Sequence, residues 1–353
     1  MAQKPLPDAV LQETLKALQT HGNKSKAAKA LGISFKAMSN RVMRASERGI
    51  TYSPDEKVTV FAPASPNEPI EDLVARRIEA YARRKEHEEA RSLIPVLVDE
   101  SLPIGILHFG DPHVDDDGCD LAALKAHAEL VNATPGLYAA NVGDTTNNWV
   151  GRLARLYASQ GTTDTDAWRL AEWFVHLVKK WLYMVGGNHD GWSGAGDPLR
   201  WIARQSHSLY QDSEVRIGLQ FANGEQRIIN CRHDFNGRSM WNPAHGPMKA
   251  IQIGVRDDIA ICGHWHESAY GVLKDPGTGN ICHGIKVASY KVYDRYAREK
   301  NLKDQHLSPC ALTVIDPRLP RSHPDGIKVF WDPFVGAQYL TFLRGAHDAR
   351  PFA

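Results

Sequence analysis

The sequence is short of several things, and each shortage narrows the class of protein. Cysteine is scarce: five residues in 353, at positions 119, 231, 262, 282 and 310, with no Cys-x-x-Cys pair. An odd count at wide spacing argues against a disulfide framework. Four of the five lie in or beside apolar runs, as reduced, buried thiols do, so a cytosol-like compartment and a cytoplasmic location are expected. No apolar run approaches membrane-spanning length, and the first residues, Met1 to Asp8, lack the apolar core of a secretion signal. No membrane contact is therefore expected. The net charge is only +1, so the overall balance points to no partner, and there is no internal repeat or low-complexity tract. What is present, 42% hydrophobic and 24% charged residues, is ordinary for a globular protein able to bury a sizeable core. The length allows two domains, or one large domain with an appendage.

Charge is unevenly distributed. The first 50 residues hold nine basic side chains against three acidic ones, a local excess of six. The same stretch reads as helices. Val10, Leu11, Leu15 and Leu18 recur at helical spacing up to His21-Gly22; a second helix begins near Asn23 and carries Ala27, Ala28 and Leu31. It stops at Gly32, where a positive φ is cheap. Ser34 fits the N-cap of a third helix bearing Phe35, Met38 and Val42. Helix, glycine turn and helix make a helix-turn-helix pattern. The string from Gly22 to Ser34 closely resembles the helix-turn-helix of the Fis family of DNA-binding proteins, over roughly Thr20 to Arg44. The resemblance makes the third helix a recognition helix, with Ser34, Lys36, Ser39, Asn40 and Arg41 as candidates for the DNA groove. The basic excess suits phosphate contact. The competing reading is a small helical bundle that binds a protein.

Residues 51–69, with Pro54, Pro63, Pro66 and Pro69, read as an extended linker, and Ile70 to Leu93 as a charge-rich helix with a solvated face. The expected domains are 1–50, a DNA-binding module; 51–93, the linker and charged helix; and 94–353, the main domain. From Ile94 onward short apolar strands alternate with amphipathic helices, expected at Leu121 to Val131, Trp149 to Ala158, Trp168 to Trp181 and Pro198 to Gln205. Past Ile217 strands follow each other closely, which predicts an α/β core with a strand-rich second half. After Phe334 there is no clear signal.

The main domain is organised around Val185-Gly-Gly-Asn-His-Asp190. Here an apolar run, Trp181 to Val185, drops through two glycines into an amide, an imidazole and a carboxylate. Four further apolar runs end alike. Ile104 to Phe109 leads to Asp111 and His113, Leu137 to Val142 to Asp144, Ile228 to Cys231 to His233, and Ile259 to Cys262 to His264 and His266. Carboxylate, imidazole and amide oxygen suit manganese, iron, zinc or nickel, and the lack of thiolate argues against a structural zinc site. Asp111 and His113, two apart on an extended segment, can face one metal, as can His264 and His266; Asp144 can bridge two with its two oxygens.

This five-part set, in this order, resembles the calcineurin-like metallophosphoesterase superfamily over about Ile104 to Asp316. The resemblance implies a four-layer α/β/β/α sandwich and two divalent metal ions. It implies Asp111, His113, Asp144 and His266 around the first ion, and Asp144, Asn188, His233 and His264 around the second. His189 is then the residue that contacts the phosphoryl group and aids the leaving group. Asp190 either orients His189 or caps a turn. His245 competes with His233 for the fourth motif, and His233 is preferred because it ends a strand. Protein phosphatases of the superfamily carry Gly-Asp-x-x-Asp-Arg-Gly. Here the string is Gly143-Asp-Thr-Thr-Asn147-Asn148-Trp149, with no carboxylate to pair with the catalytic histidine and no arginine. That turns the expectation toward phosphodiesterases and nucleases. Arg232, Arg238, Trp241, Lys286, Lys291, Arg295 and Tyr296, basic and aromatic together, suit a nucleic-acid strand.

The expected function is thus a metal-dependent phosphodiesterase or nuclease directed to DNA by its N-terminal module. Two alternatives stand beside it: a small-molecule phosphoesterase with a protein-binding N-terminus, and a DNA-binding regulator with an inactive phosphoesterase domain. Nothing in the sequence fixes an oligomeric state.

Overall fold

A computed structural model of the chain describes residues 6–52, 67–149, 154–192, 196–206, 208–293, 295–299 and 306–346. The chain divides into two units, residues 1–83 and residues 84–353. Most of the proline-rich stretch, with Pro54, Pro63 and Pro66, lies outside the described residues.

The first unit forms as its punctuation predicts. Helix α1 spans Asp8–His21 and ends at Gly22, whose φ of 74° is left-handed. Helix α2, Lys24–Ala30, is capped by the Asn23 side chain, which accepts from the Lys26 N–H. Gly32, at φ 65°, turns the chain into α3, Phe35–Glu47, where Ser34 Oγ accepts the Ala37 N–H. Leu11, Ala27, Ala28, Met38 and Ala45 are buried, with Leu18, Leu31 and Val42 packed against Ala27, Ala28 and Met38. Phe35 is the exception to the apolar pattern, more than half exposed. Helix α4, Ile70–Ala90, has no buried residue.

In the second unit the elements follow as β1 Ile94–Val98, β2 Ile104–Phe109, α5 Leu121–Ala133, β3 Leu137–Asn141, α6 Ala154–Tyr157, α7 Asp164–Leu177, β4 Trp181–Gly186 and α8 Pro198–Gln205. Then come β5 Leu209–Asp212, β6 Glu214–Phe221, β7 Gln226–Arg232, α9 His245–Ile253, β8 Ile259–Cys262, β9 Ala269–Lys274, β10 Ile281–Lys286, α10 Arg295–Glu299, β11 Cys310–Ile315, β12 Ile327–Phe330 and α11 Pro333–Gly345. They form two six-stranded sheets, ordered β1-β6-β7-β8-β10-β9 and β12-β11-β2-β3-β4-β5. One core lies between the sheets: Ile104, Ile106, Val142, Tyr183 and Val185 meet Ile217, Leu219, Ile229, Ile259, Ile261 and Ile285. A second lies under α5, α7 and α11, against the far side of β2, β3 and β11, and a third under α9. The architecture is the expected α/β/β/α sandwich.

Two expectations need correction. The helix expected over Trp168 to Trp181 begins earlier, at Asp164, because Thr163 and Asp166 form a reciprocal cap there, and it stops at Leu177, where Val178 turns to extended backbone. Trp181 instead opens β4. The tail without a clear signal forms α11, capped by Asp332 with Pro333 in its first turn, and buries Gly336, Ala337 and Leu340. Its inward face is made partly of small residues, which carry little hydrophobic signal.

Candidate metal centre

Strands β2, β3 and β4 run parallel, as do β7 and β8. Their carboxyl ends therefore open on a common edge, the place where open α/β sheets bind ligands. Each end delivers the residues that follow it. Asp111 and His113 come from β2, Asp144 from β3, Asn188 and His189 from β4, His233 from β7, and His264 and His266 from β8. All the candidate ligands named from the sequence are brought to this edge.

They fall into two clusters, Asp111 with His113 and His266, and Asp144 with His233 and His264. In the first, Nε2 of His113 lies 3.2 Å from Nε2 of His266, which lies 3.4 Å from Oδ2 of Asp111. In the second, Nε2 of His233 lies 3.2 Å from Oδ2 of Asp144, 3.1 Å from Nδ1 of His264 and 2.9 Å from Oδ1 of Asn188. Asp144 Oδ2 is also 3.9 Å from Nε2 of His113, so this carboxylate stands between the clusters. Donor atoms bound at about 2.0–2.2 Å around one ion are themselves roughly 3–3.5 Å apart, so these separations fit a metal in each cluster. Asp111 Oδ1 is buried and has no hydrogen-bond partner among the described residues, which also fits a cation that the protein alone does not replace.

The backbone is bent to make this possible. His113, Asp144, His264 and His266 have φ of 43°, 50°, 70° and 51°, and they are four of the six non-glycine residues with positive φ among those described. Such strain collects at functional sites. The glycines beside them give room: a Cβ on Gly187 would stand 2.0 Å from Asp144 Oδ1, and one on Gly263 2.1 Å from Asp111 Oδ1.

The imidazoles are oriented from behind. Nδ1 of His233 lies 3.1 Å from the Val142 carbonyl and donates to it, which turns Nε2 into the cleft. Burial alone would lower the His233 pKa, but the Asp144 carboxylate outweighs it and holds the ring up at about 10. Asp144 is shifted the other way, below the carboxylate range, by His233, His189 and His113 against the effect of its own burial. His113 is pushed well down by burial, against the pull of the Asp144 carboxylate. His245 begins α9 and its N–H bonds to Asn242 O; no described contact takes it to either cluster.

His189 stands beside the clusters rather than in them. Its Nε2 is 3.8 Å from Asp144 Oδ2, and its Nδ1 donates to the backbone carbonyl of Asn147. Asp190 turns away from that ring. Its Oδ1 accepts the N–H groups of Thr145 and Thr146 at 2.9 and 3.4 Å, and its Oδ2 that of Gly187 at 2.7 Å. Of the two roles open to it, the geometry is that of the turn cap. Burial, with Asp144 nearby, raises its pKa to about 7.

A cleft of about 580 Å³ opens over Asn188, His233 and His264 and is also lined by Arg84, Glu88, Arg91, Glu214 and Arg232. Its arginines are matched by acids: Arg84 with Glu88, Arg91 with Glu88, and Arg232 with Glu214. The basic set expected for a nucleic-acid strand is likewise largely engaged. Lys286 pairs with Glu267 and Lys291 with Asp116, while the side chains of Arg295 and Tyr296 lie outside the described residues. Arg238 stacks on Trp265 at 3.1 Å from the ring centroid, and Trp241 is 90% exposed. From sequence alone Lys291 reads as a surface cation, because its partner, Asp116, is 175 positions away by residue number.

In the first unit, Ser34, Lys36 and Asn40 are exposed, and Ser39 and Arg41 half-buried, along the first two turns of α3. Ser34 spends its hydroxyl on the helix cap.

Residues 9–44 match the family model of bacterial regulatory proteins of the Fis family. No curated protein matches the chain. Solved structures similar to it include the calcineurin-like phosphoesterase YfkN from Bacillus subtilis, at 13% identity over 61% of this chain and 85% of that one, with a TM-score of 0.31. Another is a conserved uncharacterised protein of Streptococcus pneumoniae, described as a predicted phosphoesterase, at 11% identity over 65% and 97%, TM-score 0.27. A third is the NAD nucleotidase NadN of Haemophilus influenzae, at 9% identity over 65% of this chain and 49% of that one, TM-score 0.33.

Proposed function

We propose that the chain is a phosphoesterase working with two divalent metal ions, and that its natural reaction is hydrolysis of a phosphodiester in DNA. The observation that carries the reading is the pair of Asp/His clusters with Asp144 between them, 3.2 Å from His233 and 3.9 Å from His113. Asp111, His113, Asp144 and His266 would hold one ion, and Asp144, Asn188, His233 and His264 the other; manganese is the first choice, with iron, zinc and nickel as the others the donor set admits. When bound, two such ions lower the pKa of a shared water and draw charge from the phosphoryl oxygens.

The chain's own groups supply the rest. His189, with its Nδ1–H engaged by Asn147 O, presents Nε2 to the cleft; in the doubly protonated ring the Nε2 proton passes to the departing oxygen and the Nδ1–H stays on Asn147 O. Asp190 contributes by tying the loop after β3 to the turn after β4, so that Asp144 and His189 keep their spacing. The N-terminal residues 1–50 form the DNA-binding module, with Ser34, Lys36, Ser39, Asn40 and Arg41 toward the groove; residues 51–93 connect it to the hydrolytic domain, 94–353. The Fis-family match and the basic excess support that assignment. A cytoplasmic location goes with this reading and with the five free cysteines. A second reading, a small nucleotide or phosphomonoester as substrate, is favoured by the acid-matched arginines of the cleft.

The test is hydrolysis by manganese-loaded protein of a chromogenic phosphodiester, duplex DNA and a set of nucleotides, with Asp144→Ala as control. Cleavage of the chromogenic ester and DNA is expected. Cleavage of nucleotides but not DNA would move the second reading ahead, and inertness toward every ester would sink both.

A further inference from the structure

The group that receives the His189 proton bond is itself held with unusual completeness. Asn147 is fully buried, and its carbonyl accepts from His189 Nδ1. Its N–H donates to Asp115 Oδ1 at 2.7 Å, and its Nδ2 to Asp116 Oδ2 at 3.1 Å. Lys291 Nζ lies 3.5 Å from its Oδ1 and 3.0 Å from Asp116 Oδ2. Asp115, Asp116 and Lys291 are all at least nine-tenths buried. Lys291 is itself tied to the first cluster through main-chain geometry: its N–H donates to Ser289 Oγ, which donates to Asp111 O. A buried Lys–Asp pair carries a heavy desolvation cost and is poor evidence for stability. Its two charged ends here converge on both halves of one amide, which fixes how that residue, and hence its carbonyl, is turned.

We propose that Asp116 and Lys291 are positioning residues for His189: by clamping the Asn147 side chain they aim its carbonyl, which holds the Nδ1–H edge of the His189 ring and so turns Nε2, the atom that gives up the proton, toward the cleft. The inference rests on the proposed role of His189 as proton donor to the leaving oxygen. A neutral carbonyl that accepts the Nδ1–H fixes the ring's orientation without adding a negative charge beside it. The clamp therefore matters most where the leaving group needs a proton.

The experiment has two arms on the full chain. In the first, the side chains of histidine are labelled with nitrogen-15, and the metal-free protein is examined by NMR, with His189→Ala assigning the resonance. His189 is expected to show a slowly exchanging Nδ1–H. Lys291→Met and Asn147→Ala should lose that signal or mix the two tautomers. The double variant Asp116→Asn/Lys291→Met, which removes both members of the buried pair together, should do the same. In the second, manganese-loaded proteins are compared on a p-nitrophenyl phosphodiester, whose leaving group departs readily as an anion, and on an alkyl one. The variants are expected to lose about 10²-fold in kcat on the alkyl ester, the scale of a small misplacement, with KM and the p-nitrophenyl rate unchanged. An intact Nδ1–H signal in the double variant would overturn the proposal, as would equal losses on both esters. If no ester is hydrolysed by the parent protein, the phosphoesterase reading fails while the NMR arm still decides whether the clamp exists.

Discussion

Asp144 holds the main chain of His189: its Oδ1 accepts the His189 N–H at 2.9 Å, across 45 positions of sequence. The same carboxylate thus faces both Asp/His clusters with one oxygen and anchors the candidate acid with the other. The two residues should nonetheless part company under mutation. His189→Ala is expected to keep its metal content and lose about 10²–10⁴-fold in turnover, the usual range for an acid–base group. Asp144→Ala should lose metal and turnover together. Metal analysis beside steady-state kinetics reads both, and loss of both ions in His189→Ala would make it a ligand instead.

Removal of metal should abolish hydrolysis. After dialysis against a chelator, with metal content confirmed as nil, activity on a chromogenic phosphodiester is expected to vanish and to return with manganese. Full activity in the metal-free protein would end the two-metal reading, whose basis is a set of Asp, Asn and His donors without thiolate.

The DNA-binding surface should be separable from the hydrolytic one. Lys36→Ala with Arg41→Ala is expected to weaken duplex binding and to lower the slope of log affinity against log salt by about 0.9 for each phosphate left without its cation. Hydrolysis of the small ester should not change, since neither residue is near a candidate ligand in sequence. Binding titrations at several salt concentrations check this; an unchanged slope would remove α3 as the anchor.

Acid should destabilise the fold through histidines far from the cleft chemistry. His108 is buried in β2, bonded to Thr313 and Tyr183, and burial pushes its pKa from 6.5 to about 3. His283 falls to about 4, also chiefly through burial. In both cases the unfolded chain takes up a proton that the folded one refuses. Their contribution is therefore whole above pH 6.5 and is lost as pH falls toward 4 and then 3. Each refused proton steepens the loss by about 1.4 kcal/mol per pH unit. Urea unfolding of metal-free protein between about pH 7 and 4 should show that slope, and His108→Gln should flatten it while lowering stability near neutral pH.

Much of this is readable in the chain because the strand ends are written plainly. Each of the five apolar runs becomes a strand, and each polar residue placed at its end reaches the common edge, since parallel strands of similar length finish together. The helix-turn-helix is equally legible, from Gly22, Asn23, Gly32 and Ser34. What stays hidden depends on distant partners. Lys286, Lys291 and Arg232 read as free cations until the fold brings Glu267, Asp116 and Glu214 to them. Asn147 reads only as a missing carboxylate, because sequence does not tell that a main-chain oxygen accepts the imidazole N–H. Helix α11 escapes notice because the face it buries includes Gly336 and Ala337, which give no periodic signal.

The left-handed backbone at His113, Asp144, His264 and His266 limits what evolution or a designer can try there. At these four positions valine, isoleucine and threonine are strongly disfavoured before any question of coordination arises, because a branched Cβ is strained in the left-handed region. Asparagine, aspartate, histidine and glycine are the residues that tolerate it best, and the first three are metal donors. Variation at these positions is thereby steered toward exchange of one donor for another. The route by which such a centre would change its metal preference is already marked out in the bends of its main chain.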